Sequence, residues 1–189
     1  MKKILDLSLV LLLLMSCTQC THKSNPSTGQ ESLADSTGVG LSGDTAVYGI
    51  CGEETAMHTL QLITNTGDTL NYMVYDNDDA PSTVKGGLLV GDRLSVQGYK
   101  NADGEWTAQQ VVNISSLIGK WTSLDKNFEI EEGGTVKSYV KAESHPWTSW
   151  KMYNGNIILN TDTFAINELG NDSLYLENKV GIFAYKRQK

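Results

Sequence analysis

The chain has 189 residues, a formal net charge of −7 and a pI near 4.9. An acidic chain without a basic stripe argues against nucleic acids and anionic lipid surfaces as partners. Beyond the N-terminus, no apolar run is long enough to cross a membrane as a helix.

The N-terminus has the zones of a secretory signal peptide. Lys2 and Lys3 supply positive charge, residues 7–15 are apolar except for Ser8, and Leu14-Met15-Ser16-Cys17 follows. That tetrapeptide resembles the bacterial lipobox, in which a small residue precedes an acylated Cys. We expect residues 1–17 to be a lipoprotein signal peptide ending at Cys17, whose acyl chains would hold the protein in the cell envelope, at the outer membrane of a Gram-negative bacterium. The alternative is an ordinary secretory signal with an incidental Cys.

Residues 18–43 are poor in large apolar side chains and rich in Ser, Thr, Gly and Asp. Such a segment buries too little surface to offset its chain entropy, so we predict a disordered tether. If Cys17 is acylated, two cysteines remain, Cys20 in the tether and Cys51 in a predicted strand. A disulfide between them stays open at this point.

The first predicted module covers residues 44–116 and consists of short β-type runs. The predicted strands are 45–51, 57–64, 69–75, 93–100 and 106–115. A polar gap at 76–83 and an apolar stretch at 84–90 separate the third from the fourth. Gly91-Asp92-Arg93-Leu94-Ser95-Val96 resembles the entry to the fourth strand of an OB-fold. We therefore predict an OB-like five-stranded barrel.

The second predicted module covers residues 117–189 and has eight short strands in sequence. They are predicted at 121–124, 128–130, 135–141, 148–153, 156–159, 164–169, 173–177 and 182–186. Tyr153-Asn154-Gly155-Asn156 is typical of a type I′ hairpin, because Asn and Gly accept positive φ. The pattern predicts an up-and-down barrel and an all-β fold for the whole chain.

Gly119-x-Trp121 after a short apolar turn is similar to the lipocalin motif at the first strand. The resemblance implies that Trp121 closes one end of the barrel beneath a basic residue of the last strand, here Arg187. Trp147 and Trp150 also resemble the small lipocalin-like domains of bacterial envelope lipoproteins. An OB-like module followed by such a domain resembles the NlpE-type lipoproteins, which implies a role in envelope stress sensing or lipoprotein traffic.

The second module departs from full lipocalins, because about seventy residues are roughly half their length. An eight-stranded barrel of this size holds its own side chains or one small ligand. The Cys-x-x-Cys of the NlpE type is not carried over, since Cys17 is assigned to the lipid and Cys20 is left without its partner.

The sequence lacks the motifs of common catalytic and cofactor sites, so we expect a protein that is not an enzyme and holds no cofactor. Cys51, Glu53, Glu54 and His58 offer zinc-type ligands without a supporting spacing, so a solvated His is favoured. Residues 76–79 are acidic but lack the Gly and Glu that a calcium loop needs further on. We therefore predict no metal site.

The aromatic side chains of the second module are the candidates for ligand binding. We expect Trp147, Trp150, Tyr153 and Phe128 to line a groove for a small hydrophobic ligand or lipid. Gly119, Trp121 and Arg187 are expected to be structural. The alternative function is a structural or envelope-stress sensing protein whose barrels are filled and whose outer faces bind other envelope proteins.

Overall fold

The computed structural model describes residues 43–75 and 83–189. The expectations for Cys17, for the tether up to residue 42 and for the acidic run 76–79 lie outside these residues. The described chain is almost entirely β-structure and forms two barrels that belong to one compact unit. Across both described ranges, no helix has the length and apolar character that a membrane span needs.

The first barrel has the strand connectivity of an OB-fold. Its strands are β1 Val47–Cys51, β2 Thr59–Thr64, β3 Thr69–Met73, β4 Val84–Lys85, β5 Arg93–Lys100 and β6 Trp106–Asn113. Five of them follow the order β3-β2-β1-β5-β6, and a parallel pairing of β3 with β6 closes the ring. The short β4 adds a parallel pairing on β6. The predicted OB-like barrel is therefore confirmed.

Alternation along the strands of this barrel fills its interior. Leu60 and Leu62 on β2 are fully buried, as are Leu94 and Val96 on β5, so each strand turns every second side chain inward. Gly49 lies where β1 and β2 approach each other closely, so a Cβ at that position would overlap the Ile63 carbonyl oxygen. The barrel is thus packed by its own side chains.

The apolar stretch at 84–90 forms a strand only at Val84–Lys85. Gly86 and Gly87 follow with φ of 91° and 73°, a backbone region that ends a strand. The chain then turns under the buried Asn113, whose Nδ2 donates to Gly87 O at 3.0 Å and to Asp92 Oδ2 at 2.6 Å. This amide holds the loop before β5 against the end of β6.

A short buried helix joins the two barrels. The strand predicted to 115 ends at Asn113, which caps α1, Ile114–Leu117, by accepting a hydrogen bond from Ser116 N at 2.8 Å. Ile114 and Leu117 are buried in the core of the second barrel, although both precede its first strand. Lys85 Nζ also donates to Asn167 O at 2.7 Å. The two barrels therefore share packed and hydrogen-bonded contacts.

The second barrel is a meander of eight strands, as predicted. They are β7 Gly119–Thr122, β8 Asn127–Ile130, β9 Val136–Ser138, β10 Trp150–Tyr153, β11 Asn156–Leu159, β12 Asp162–Leu169, β13 Ser173–Asn178 and β14 Gly181–Arg187. Consecutive strands pair from β10 to β14, β14 returns to β7, and β7 continues to β9. A single bridge between Thr135 and Ser149 nearly closes the ring. The β10–β11 turn has Asn154 at φ 47° and Gly155 at φ 71°, as a type I′ turn requires.

Candidate functional site: an aromatic pocket at the β14–β7 seam

The second barrel has a gap in its wall between β14 and β7. Only Lys186 and Arg187 of β14 pair with β7, opposite Thr122 and Trp121. Beyond Thr122 the chain turns away through residues 123–126 into β8, whereas β14 extends back to Gly181. The first half of β14 therefore borders an opening instead of a neighbouring strand.

A pocket of about 890 Å³ occupies this gap. Its volume lies in the range of small-molecule sites, which is about 300–1,000 Å³. The wall combines the β7–β8 turn, one residue of the long loop before β10, one residue of β12 and the facing parts of β13 and β14. The residues that line it are Thr122, Ser123, Leu124, Asp125, Lys126, Trp147, Phe164, Asp172, Ser173, Tyr175, Ile182, Phe183, Ala184, Tyr185 and Lys186.

Strand alternation divides this lining into an inner and an outer part. Phe183 and Tyr185 pair with Leu176 and Leu174, which are fully buried, so these two aromatic residues of β14 point into the barrel. Ala184 lies between them and is exposed. The pocket therefore runs from the outer surface of β14 through the gap to the barrel interior.

The inner part of the pocket is built from aromatic rings in edge-to-face contact. The Trp147 ring centroid lies 5.7 Å from that of Phe164 and 6.3 Å from that of Tyr185. Phe164 and Phe183 are 6.1 Å apart. The Phe128 ring centroid lies 5.1 Å from those of both Trp147 and Tyr185, on the side away from the pocket, so Phe128 does not line it. Such contacts fix the rings in place, so the apolar wall is preformed.

One cation borders the aromatic wall. Lys126 Nζ lies 4.4 Å from the Trp147 ring centroid and forms an ion pair with Glu143 of the loop before β10. Partial burial lowers the pKa of the Lys126 ammonium from its ordinary value. The ion pair holds the β7–β8 turn against the loop before β10, and these two segments border the inner part of the pocket.

Of the four residues predicted to bind a ligand, the structure places only Trp147 in the pocket wall. Phe128 lies behind it. Trp150 is a core residue whose Nε1 donates to Glu131 O at 2.7 Å. Tyr153 lies near Gly43, at the hairpin that meets the start of the first barrel. A sequence pattern shows which residues are aromatic but not which of them a neighbouring strand covers.

The residues predicted to close the barrel come together at one end. The Arg187 guanidinium carbon lies 4.1 Å from the centroid of the Trp121 ring, which is fully buried. Trp121 Nε1 donates to Leu117 O at 2.9 Å. Gly119 has φ 132°, and a Cβ there would lie 2.6 Å from Arg187 Nη1, so the guanidinium occupies the space beside this glycine.

The pocket also contains four residues that the sequence does not predict as ligand-binding: Lys126, Phe164, Phe183 and Tyr185. Alternation in β14 does indicate that Phe183 and Tyr185 share a face. The sequence pattern does not predict where the pairing of β7 with β14 ends, because that depends on how the barrel closes.

The candidate metal ligands do not form a cluster. In the described part of the chain, no group of three or more His, Cys, Asp and Glu side chains is arranged to hold a metal ion. Cys51 is a buried free thiol whose Sγ lies 3.3 Å from Thr55 Oγ1. Its suggested partner Cys20 is outside the described residues.

Comparisons with protein families, with curated proteins and with solved structures found no match to this chain.

Proposed function

We propose that this protein is a lipid-anchored cell-envelope protein whose second barrel binds a small apolar ligand in the β14–β7 pocket, without catalysing a reaction on it. The anchor rests on the lipobox-like sequence that ends at Cys17. The ligand site rests on one observation, the aromatic pocket of about 890 Å³ that opens to the surface. Among the described residues, neither a histidine nor a cysteine lines this pocket, which favours binding over nucleophilic chemistry.

Burial of apolar surface supplies the affinity in this proposal. A ligand that removes about 100 Å² of apolar wall and ligand surface from water gains about 2.5 kcal/mol before the costs of association. Four aromatic rings offer such a wall, and their mutual contacts mean that little has to be ordered when the ligand enters. The site is therefore suited to a compact apolar group or a folded alkyl chain.

A fluorescent apolar probe tests the proposal directly. The full chain carrying Cys17→Ser, which has no acylation site at that position, is titrated with neutral N-phenyl-1-naphthylamine in detergent-free buffer. We expect saturable fluorescence enhancement. Ala184→Phe should weaken binding by about tenfold, because Ala184 lines the outer part of the pocket and a phenyl ring there occupies space that the probe needs. The matched control is Ala165→Phe, an exposed alanine on β12 outside the pocket.

Absence of saturable binding by the Cys17→Ser chain would overturn the ligand proposal. Equal binding by the Ala184→Phe and Ala165→Phe variants would also overturn it, because the probe would then bind elsewhere. The anchor is tested separately by mass spectrometry of the protein from membranes. Acyl chains on Cys17 are expected, and an unmodified Cys17 would refute the anchor.

A second function is favoured by the apolar residues around the opening. Leu124 in the β7–β8 turn and Ile182 at the start of β14 are exposed and line the opening, and Val180, also exposed, lies in the turn before β14. Exposed apolar residues grouped around a groove are typical of protein-binding surfaces. In this alternative the protein binds another envelope protein as a structural or stress-sensing component, and cross-linking from position 182 in cells would capture that partner while the probe shows no binding.

A further inference from the structure

The inner wall of the pocket contains two polar groups without a hydrogen-bond partner. Tyr185 is only 4% exposed and Trp147 only 8%, yet neither the Tyr185 hydroxyl nor the Trp147 Nε1–H bonds to any of the described residues. Both atoms nevertheless keep some contact with solvent, because neither belongs to the fully buried atoms that lack a partner. Both side chains line the pocket. Because both atoms reach solvent, water can bond to them in the free protein, and a ligand that displaces this water has to offer acceptors in its place.

These two groups have the same hydrogen-bonding character. The indole N–H can only donate. The Tyr185 hydroxyl stays protonated at ordinary pH, because burial raises its pKa to about 12. Lys126, which lies against the Trp147 ring, adds an ammonium with three donors, of which Glu143 takes one. The inner wall therefore presents donors on an apolar background.

We propose that the natural ligand is an apolar molecule with one carboxylate, whose oxygens accept hydrogen bonds from Tyr185 and Trp147 and face the Lys126 ammonium. This inference rests on the proposed ligand-binding function and deepens it. A carboxylate has about four acceptor positions and no donor, which complements this set. Its apolar body packs against Phe164, Phe183 and the other rings.

The four charged residues that line the pocket balance, with Asp125 and Asp172 against Lys126 and Lys186, and a ligand carboxylate would share the Lys126 ammonium with Glu143. Asp172 lies near Arg187, where burial lowers the pKa of the guanidinium and the Asp172 carboxylate offsets part of that effect. Asp125 and Lys186 are both exposed and of opposite sign. A charged hydrogen bond inside an apolar wall is roughly twice as strong as a neutral one, so the carboxylate is distinguished from an alcohol of the same length.

Three amphiphiles with the same twelve-carbon chain test the ligand class. Calorimetric titrations of the Cys17→Ser full chain use dodecanoate, 1-dodecanol and dodecyltrimethylammonium below their micellar concentrations. We expect dodecanoate to bind about tenfold or more tightly than 1-dodecanol, a difference of about 1.4 kcal/mol or more. Dodecyltrimethylammonium should bind weakest, because its cationic head group cannot accept hydrogen bonds from the donors of the inner wall.

Two variants locate the recognition. Tyr185→Phe removes a hydroxyl that has no hydrogen-bond partner among the described residues, so folding should be unaffected, and dodecanoate affinity should fall by about tenfold. Lys126→Met should cause a similar loss. Lys120→Met is the matched control, because Lys120 also lies over an aromatic ring, that of Tyr139 at 5.5 Å, but does not line the pocket.

The outcomes separate this inference from the proposed function. Equal or tighter binding of 1-dodecanol or of the ammonium compound would overturn the carboxylate assignment. So would unchanged dodecanoate affinity in both the Tyr185→Phe and Lys126→Met variants. If N-phenyl-1-naphthylamine binds while dodecanoate does not, only the carboxylate assignment is wrong. If neither compound binds, the proposed function fails as well.

Discussion

Arg187 connects the last strand of the second barrel to the chain that enters it. Its guanidinium donates to Ile118 O at 2.9 Å, to Asn171 O at 2.7 Å and also to Ser116 O. It also stacks on the buried Trp121 ring. Arg187→Met keeps an aliphatic stem of similar length and removes all four interactions, so the variant isolates the contribution of the guanidinium.

The expected loss follows from these contacts. A hydrogen bond from a charged donor contributes about 1.5–3 kcal/mol when buried, and a cation–π contact at a partly exposed site contributes about 0.5–1 kcal/mol. The guanidinium is partly open to solvent, and water can replace some of its bonds, so we expect a total loss of about 3 kcal/mol in unfolding free energy. For a chain of this size, that corresponds to a fall in Tm of about 6–12 °C.

Urea unfolding followed by tryptophan fluorescence and by circular dichroism measures the change. Arg187→Lys is the comparison, because it keeps the charge but lacks the planar fork that reaches several carbonyls. It should recover less than half of the loss. An Arg187→Met variant within about 0.5 kcal/mol of the parent, the usual range for surface substitutions, would show that the guanidinium does not stabilise this end of the barrel.

Three further predictions follow from other sites. Asn113→Asp should lower the unfolding free energy by about 2–4 kcal/mol in urea titrations at neutral pH, because a carboxylate would replace the donor to Gly87 O and Asp92 Oδ2; a stability equal to that of the parent would contradict this. Gly49→Ala should cost about 2 kcal/mol or more through overlap with the Ile63 carbonyl, whereas Gly104→Ala, at φ 84° in open space, should cost about 1 kcal/mol from backbone strain alone; equal costs would remove the steric argument. Burial raises the pKa of Tyr185 to about 12 in the folded protein, so the Tyr185 hydroxyl ionises at a lower pH in the unfolded chain. The contribution of this protonated hydroxyl to the unfolding free energy should be present below about pH 10 and fall as the pH rises from about 10 toward about 12. Tyr185→Phe should reduce this fall in urea titrations between about pH 10 and 12, and an unchanged fall would show that the Tyr185 hydroxyl does not cause it.

Local sequence signals were sufficient for most of the strands. Alternating or clustered apolar residues mark β1, β2 and β5, and the Asn154-Gly155 turn has the backbone that its residue types require. The stretch 84–90 shows the limit of the apolar signal. Gly86 and Gly87 end the strand there, and the apolar residues after them, Leu89 and Val90, are exposed. The pair Gly86-Gly87 indicates the end of the strand better than the apolar residues indicate its length.

The pocket could be predicted only in part. Trp147 was identified as a candidate because it is a large aromatic residue, but Trp150, three residues later, lies in the core with its Nε1 bonded to Glu131 O. The opening itself arises because the ladder between β14 and β7 stops at Lys186 and Thr122. That register depends on the closure of the whole barrel, which no short sequence window contains.

Heteronuclear NMR with dodecanoate shows directly whether a ligand binds in the β14–β7 pocket. The indole N–H signal of Trp147 and the amide signals of residues 122–126 and 182–186 report from its wall. Saturable shifts concentrated in these signals are the predicted result. Saturable shifts confined to the first barrel, or no shifts at all with either dodecanoate or N-phenyl-1-naphthylamine, would refute ligand binding in the β14–β7 pocket.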